Sequence, residues 1–147
     1  MTPDFVHLHV HSQYSFLTST VRLNELPRAV KQMSMSAVAL TDRANMFGAI
    51  RHYKTCRNEG ILPIIGCELN VLRDESSGAF SHMVVIAKNL EGYRNLIRLV
   101  SMGHLESANA DDAVVTLDTI AKYSQGLIVL TGCLGGLVAQ KMLLSGL

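Results

Sequence analysis

An α/β fold built on a largely parallel sheet is what this chain of 147 residues predicts. Three observations carry the expectation. Short apolar runs, of the kind seen in strands buried on both faces, alternate along the chain with segments whose apolar residues recur at helical spacing. The pieces follow one another as successive β-α units. Side chains able to hold a metal or move a proton fall just after several of the apolar runs, where α/β folds place their chemistry. An open doubly wound sheet and a (β/α) barrel both satisfy this pattern. Five expected strands fall short of a closed barrel. The lack of a glycine-rich phosphate loop after the first strand speaks against a dinucleotide-binding domain.

The first strand is expected over residues 5–10, where Val6, Leu8 and Val10 alternate with histidines. After a polar loop, Asn24 is placed to cap a helix reaching about residue 34, with Leu26, Ala29, Val30 and Met33 on one face. Pro27 lies in its first turn, where a missing N–H costs nothing. Residues 37–41 make a short, fully buried strand. A second helix runs from about residue 47 to residue 59 and stops at Gly60. Residues 61–65 form the next strand, and 67–72 continue extended beyond Gly66. The polar, glycine-containing stretch 73–81 reads as a loop, and 82–87 as a strand that His82 opens. Asn89 caps a helix with Tyr93, Leu96, Ile97 and Val100 at helical spacing, and residues 103–113 form a looser, acidic connection. Thr116 opens a short helix with Asp118 near its positive end, residues 127–130 form a strand, and a last helix starts near Gly135.

Apolar residues make up 48% and charged residues 17%, a globular balance at a length that suits one domain. A net charge of +1 gives no support to direct DNA binding, since a surface that grips phosphates is normally more basic. No apolar run reaches the length of a membrane span, and the first residues lack the basic-then-apolar pattern of a signal peptide. The three cysteines, Cys56, Cys67 and Cys133, are odd in number and scattered. They argue against a disulfide framework and fit a reducing, cytoplasmic setting.

The chemistry concentrates in His7-Leu8-His9-Val10-His11, which holds three of the six histidines. Alternation sends the three imidazoles to one side and Val6, Leu8 and Val10 to the other. Two imidazoles two residues apart at a strand end make a two-pronged arm for a divalent transition metal. A polar strand face that happens to carry histidine is the plainer alternative. Further candidates follow later strands: Asp42 and Arg43, then Glu68, then Cys133, with His82 at the opening of its strand. The others read as structural. His7 is taken as a hydrogen-bonded strand residue, His52 as part of a solvated helix face beside Arg51 and Lys54, and His104 as a residue favoured at a helix C-terminal end. Cys56 reads as packed within its helix, and Cys67, turned away from Glu68 by alternation, as a core residue. Asp42 either caps the turn before the second helix or supports a histidine from behind.

Several runs now point one way: His9-Val10-His11-Ser12-Gln13-Tyr14-Ser15, Thr41-Asp42-Arg43-Ala44-Asn45-Met46-Phe47-Gly48, Ile64-Ile65-Gly66-Cys67-Glu68, and residues 82–96 and 130–140. They resemble the N-terminal PHP (polymerase and histidinol phosphatase) domain of bacterial DNA polymerase III alpha subunits. The likeness covers nearly the whole chain, in order. It implies a PHP-type distorted (β/α)7 barrel with a metal cluster at the strand C-terminal ends, residues 1–147 making the N-terminal part of the barrel as one partial PHP domain. Intact members hold the cluster with an HxH pair, a following aspartate, a Thr-Asp-His motif, a glutamate, a further histidine, a cysteine or histidine, and a late Asp-x-His. By the resemblance His9 and His11 are the pair, Glu68 the glutamate, His82 the further histidine and Cys133 the cysteine.

Two positions depart from that pattern. Thr18 stands where the family has the aspartate of Tyr-Ser-x-x-Asp-Gly, and Arg43 where it has the histidine of Thr-Asp-His. The late Asp-x-His has no counterpart up to Leu147. Thr18 has no carboxylate to bridge metals, and Arg43 stays protonated at any useful pH, bringing positive charge to a cation site. The expectation is a degenerate centre, with Arg43 standing in for the lost metal by hydrogen-bonding to Glu68 or Asp42. The remaining donors suffice for one zinc or other divalent metal, and a full cluster is not expected. The resemblance implies a module of a replicative polymerase that stabilises the rest of the alpha chain and docks the separate proofreading exonuclease subunit. DNA would be met only through the parent polymerase, and no membrane is involved. The alternative is a metal-dependent phosphoesterase, either a 3′–5′ exonuclease or a pyrophosphatase-like enzyme. Nucleotidyl transfer by a DNA-directed DNA polymerase would reside in other parts of such a chain.

Overall fold

The computed structural model describes residues 5–74, 78–107 and 113–145. One long strand, β2 (Leu62–Asp74), organises it; the short β1 (Ala37–Leu40) lies parallel to its first half, from Ala37 beside Leu62 to Leu40 beside Ile65. The second half of β2 pairs antiparallel with β3 (Ala79–Ala87), Glu68 opposite Val84 and Asn70 opposite His82. β4 (Val114–Val115) lies parallel to β2 at Asn70 and Val71, and β5 (Leu127–Leu130) runs antiparallel to β3. The five-stranded sheet is therefore mixed, not largely parallel as the alternation of elements suggests. The cause is local. Most of 73–81, expected as a loop, is strand, and so short a return can only bring the chain back antiparallel. Residues 75–77 of that stretch lie outside the described residues.

Residues 5–10 run extended beside β1 without forming a regular strand. The carbonyls of His7 and Val10 accept from the Ala39 and Thr41 amides at 2.9 and 2.8 Å, but the Val10 amide donates to Thr41 Oγ1 at 2.9 Å. A side-chain oxygen thus takes the place of a ladder carbonyl. Val10 packs on Val30, Val38, Cys56 and Ile61 as alternation requires, while Leu8 is 39% exposed.

The helix ends show where local rules hold. α1 (Leu26–Gln32) has Pro27 in its first turn, but Glu25 occupies the cap position without a side-chain bond. Asn24, expected there, instead accepts from Arg51 Nε at 3.1 Å. α2 (Ala49–Glu59) stops at Gly60, whose φ of 75° suits a residue without Cβ. Asn89 caps α3 (Leu90–Glu106) by accepting from the Gly92 amide at 2.9 Å, and the helix runs past Gly103, the start of the expected connection. Residues 108–112 of that connection lie outside the described residues. Thr116 caps α4 (Leu117–Lys122), and α5 spans Leu137–Ser145. The main core lies between the sheet and α3, around Leu69, Val71, Val85, Leu96 and Leu99. Among the described residues no helix is long and apolar enough to cross a membrane.

The smaller core corrects the reading of His52. Far from lying on a solvated face, it is fully buried, with Nε2 3.2 Å from the Val38 carbonyl and Nδ1 3.5 Å from Cys56 Sγ. Burial pushes the His52 pKa down, against smaller upward effects of the Val38 carbonyl, Asp42 and the Ile64 carbonyl. Burial also pushes the neighbouring Cys56 thiol up to about 11, so it stays protonated and inert. The sign for His52 follows by linkage. The unfolded chain takes up a proton near its ordinary value of about 6.5, the folded chain only at lower pH, so stability is full above that value and falls as pH drops through the window. The urea midpoint is expected to fall between about pH 7.5 and pH 5.5, and less steeply in His52→Leu. Parallel profiles for the two proteins would contradict the assignment.

Candidate metal centre

The site grows from the end of β1. Asp42, 1% exposed, accepts from the Ser12 amide and the Ser15 hydroxyl at 2.6 Å each through Oδ1, and from the Ser12 hydroxyl at 2.8 Å through Oδ2. Among the described residues the carboxylate makes no hydrogen bond to the start of α2 or to a histidine, the two roles the sequence suggests. It holds Ser12 and Ser15, and through them fixes the backbone just after His9 and His11.

Glu68, 6% exposed on β2, is the point of convergence. His9 Nε2 lies 2.7 Å and His11 Nε2 3.3 Å from its Oε2, and the two nitrogens are 3.2 Å apart. His82 Nδ1 comes within 3.5 Å of Oε1, buried and, among the described residues, without a hydrogen bond. His82 is not out of place in its strand after all. Because β3 runs antiparallel, its early residues lie beside the late half of β2, so His82 reaches the same end of the sheet as Glu68.

Burial alone would raise the Glu68 pKa. The hydrogen bond and charge of His11, the charge of His82 and the hydrogen bond of His9 outweigh it and bring the carboxyl down to about 2. Burial lowers the His82 pKa; the Glu68 charge opposes this, and the positive charges of Arg43, His11 and His9 add to it. At neutral pH the centre therefore holds a carboxylate beside a neutral His82.

Among the described residues, His9, His11 and Glu68 are the group whose ligand atoms all lie within 4.8 Å of one another. Two imidazole nitrogens and a carboxylate oxygen form a zinc-type donor set. The 3.2 Å between the nitrogens is close to the edge, about 3.4 Å, of a tetrahedron with metal–nitrogen bonds of about 2.1 Å. The unpartnered, buried His82 Nδ1 beside the same carboxylate extends the fit. These residues suit a divalent metal.

The remaining candidates lie outside this group of three. Cys133 is exposed and lines, with His9, Thr131 and Gly132, an open cavity of about 500 Å³. Thr18 is exposed and donates its hydroxyl to the Ser15 carbonyl at 2.9 Å. Arg43 does not replace a metal as expected. Among the described residues its guanidinium has no hydrogen bond or ion pair; the Asp42 carboxylate accepts from the serines, and Glu68 Oε2 faces His9 and His11. Cys67 is buried in the main core, as alternation requires, and burial pushes its thiol up. His7 accepts from Ala39 through its carbonyl and sets its ring edge-on to Phe5.

Three further contributors escape sequence reasoning. Ser12 and Ser15 were visible only as part of a motif, and nothing local shows that both would bind one buried aspartate. His104 sits in the last turn of α3, as expected, yet Nε2 also donates to the Ala44 carbonyl at 2.7 Å. Ala44 has a left-handed φ of 52°, and its amide donates to the Glu68 carbonyl at 2.8 Å. His104 thereby ties α3 to the loop that carries Asp42 and Arg43.

The family model of the PHP domain matches residues 7–146. The chain belongs to the PHP domain family. The DNA polymerase III subunit alpha of Treponema pallidum is 44% identical to this PHP domain over 140 residues, 90% of this chain and 12% of that one. That of Borreliella burgdorferi is 38% identical over 147 residues, 95% of this chain and 13% of that one. That of Pseudomonas aeruginosa is 35% identical over 143 residues, 97% of this chain and 12% of that one. The PHP domain therefore spans only 12 to 13% of the length of these relatives. Among solved structures, a Bifidobacterium adolescentis protein assigned as a metal-dependent phosphoesterase aligns with a TM-score of 0.52 at 16% identity, over 71% of this chain and 35% of that one. An amidohydrolase from Chromobacterium violaceum, with bound sulfate and no metal, aligns with a TM-score of 0.52 at 20% identity, over 69% of this chain and 34% of that one. At those identities the likeness speaks for the fold alone, that of a partial, distorted PHP barrel.

Proposed function

We propose that this PHP domain is a non-hydrolytic module of a DNA polymerase III alpha chain in DNA replication. It holds one divalent metal on His9, His11 and Glu68, with His82 at its edge, stabilises the larger chain and docks the proofreading exonuclease subunit. The likeness to alpha subunits supports the setting. Exposed Ile128 and Val129 on β5, and Val138, Met142 and Leu143 on α5, leave apolar surface that the rest of such a chain would cover.

One observation carries the non-hydrolytic reading. The two departing positions add no metal donor, since Thr18 donates to a carbonyl and Arg43 brings to the rim of the centre a cation that no carboxylate among the described residues pairs with. When bound, a metal here supplies Lewis-acid polarisation, whereas phosphoester hydrolysis by bridged ions needs further anionic ligands between them. The chain's own part is to present two imidazoles and a carboxylate already ionised at neutral pH. The alternative, a metal-dependent phosphoesterase, draws on the same convergence of donors.

Elemental analysis of the purified chain, paired with an assay on a 3′-mispaired oligonucleotide, separates the readings. The unmutated chain is expected to bind about one zinc per molecule and to leave the oligonucleotide intact. The Thr18→Asp/Arg43→His double variant should take up more metal. Metal-dependent trimming of the mispaired end by the unmutated chain would overturn the proposal.

A further inference from the structure

β2 and β3 are joined by a short return, and among the described residues no helix follows β2. The helices on either side of that position, α2 before β2 and α3 after β3, therefore face one another across a gap that a β-α unit would have filled. The gap is a trough of about 600 Å³. Its walls are Ile50 and Tyr53 of α2 and Leu90 and Tyr93 of α3, with Pro63 and Ile65 of β2 between them. Ile65 continues the face on which Cys67, Leu69 and Val71 are buried. Beneath α3 that face is core; here it opens to the surface. Ile50, Leu62 and Leu90 are 59%, 59% and 62% exposed, an apolar patch of the kind that marks an interaction site.

Charge decides what fits there. Ile50, Tyr53, Lys54 and Arg57 share helical spacing on α2, as Leu90, Tyr93, Arg94 and Ile97 do on α3. Each wall thus passes from apolar to cationic, and Lys88 lines the trough itself. Lys54, Arg57, Lys88 and Arg94 are all exposed, and among the described residues none of them is in an ion pair. Nearby acids do not balance them: Glu59 is held by Arg28 Nε at 2.9 Å, and Glu91 lies off the spacing of its wall. We propose that this trough docks an acidic amphipathic helix of a partner protein, apolar residues in the trough and flanking carboxylates on the four cations. A helix meets its own backbone hydrogen bonds and can rest on so apolar a bed, whereas an extended segment would need a strand edge. A second copy of this chain would set the same cations against one another, which disfavours self-pairing here. The docking requires neither the metal nor the longer chain proposed above.

The test uses the full chain and a fluorescent peptide of about 18 residues, with leucines at i, i+3, i+4 and i+7 and glutamates beside them. A second peptide carries lysines in place of the glutamates. Fluorescence anisotropy is expected to show the glutamate peptide binding at least about tenfold more tightly, a preference that shrinks as salt is added. Leu90→Asp should weaken that binding about tenfold, while Leu143→Ser on α5 should leave it unchanged. Lys54→Glu/Arg94→Glu should invert the preference between the peptides. All of these positions are exposed, and thermal melts check that the variants fold. Equal affinity for the two peptides, or no binding of either, would overturn the proposal. So would a loss caused by Leu143→Ser and not by Leu90→Asp, or a dimer in light scattering that Leu90→Asp dissolves.

Discussion

Asp42→Ala is expected to destabilise the protein by about 3 kcal/mol and to weaken metal binding at least about tenfold. The carboxylate is 1% exposed and receives the Ser12 amide and two hydroxyls, and Ser12 itself is fully buried. Alanine removes every acceptor at once and leaves a buried N–H and two hydroxyls without partners, each worth about 1–3 kcal/mol when unsatisfied, less what water entering the gap restores. The effect on metal comes through the backbone, since Ser12 follows His11 directly. Asp42→Asn keeps an acceptor and the shape, and should cost about 1 kcal/mol. Urea titrations of the three proteins, with cobalt titrations alongside, check the order. Undiminished metal affinity in Asp42→Ala would show that the two histidines hold their places without this carboxylate.

Gly92→Ala should cost about 3 kcal/mol, against the usual rule that alanine in a helix is worth about 1 kcal/mol over glycine. The reversal comes from a backbone crossing. A Cβ on Gly92 would collide with the Gly126 carbonyl and would press on its Cα at 3.3 Å. That carbonyl already accepts from the Lys88 amide at 2.9 Å, and Gly126 holds a φ of 74°. Backbone atoms cannot rotate away as a side chain does, so either α3 shifts or the approach to β5 opens. Gly60→Ala provides the control. It meets nothing within 4 Å, and only its φ of 75° is strained, at a cost of about 1 kcal/mol. A thermal midpoint for Gly92→Ala equal to or above that of Gly60→Ala would contradict the packing described.

What the sequence by itself determined is the chemistry that acts within one turn or one strand. Gly60 had to end a helix because a left-handed residue without Cβ was needed there, and Asn89 and Thr116 cap the helices they precede because their side chains reach amides three residues on. Cys67 and Glu68 face opposite ways because a strand alternates. The pairing of His9 with His11 was legible for the same reason, and Glu68 became a candidate from its place after a strand and from motifs that run in order along the chain. Only the tertiary structure decided which distant groups meet. Asp42 finds Ser12 across 30 positions, His9 finds Glu68 across 59, and His104 finds Ala44 across 60. The antiparallel pairing of β3 with β2 carried His82 to the centre, while His52, set among charged neighbours in sequence, was turned into the core by the face α2 had to bury. Arg43 shows the limit most plainly. Its charge is readable from one letter, but its surroundings are settled by distant donors to the neighbouring carboxylates, Ser12 30 positions from Asp42 and His9 59 from Glu68, and among the described residues the guanidinium bonds to neither.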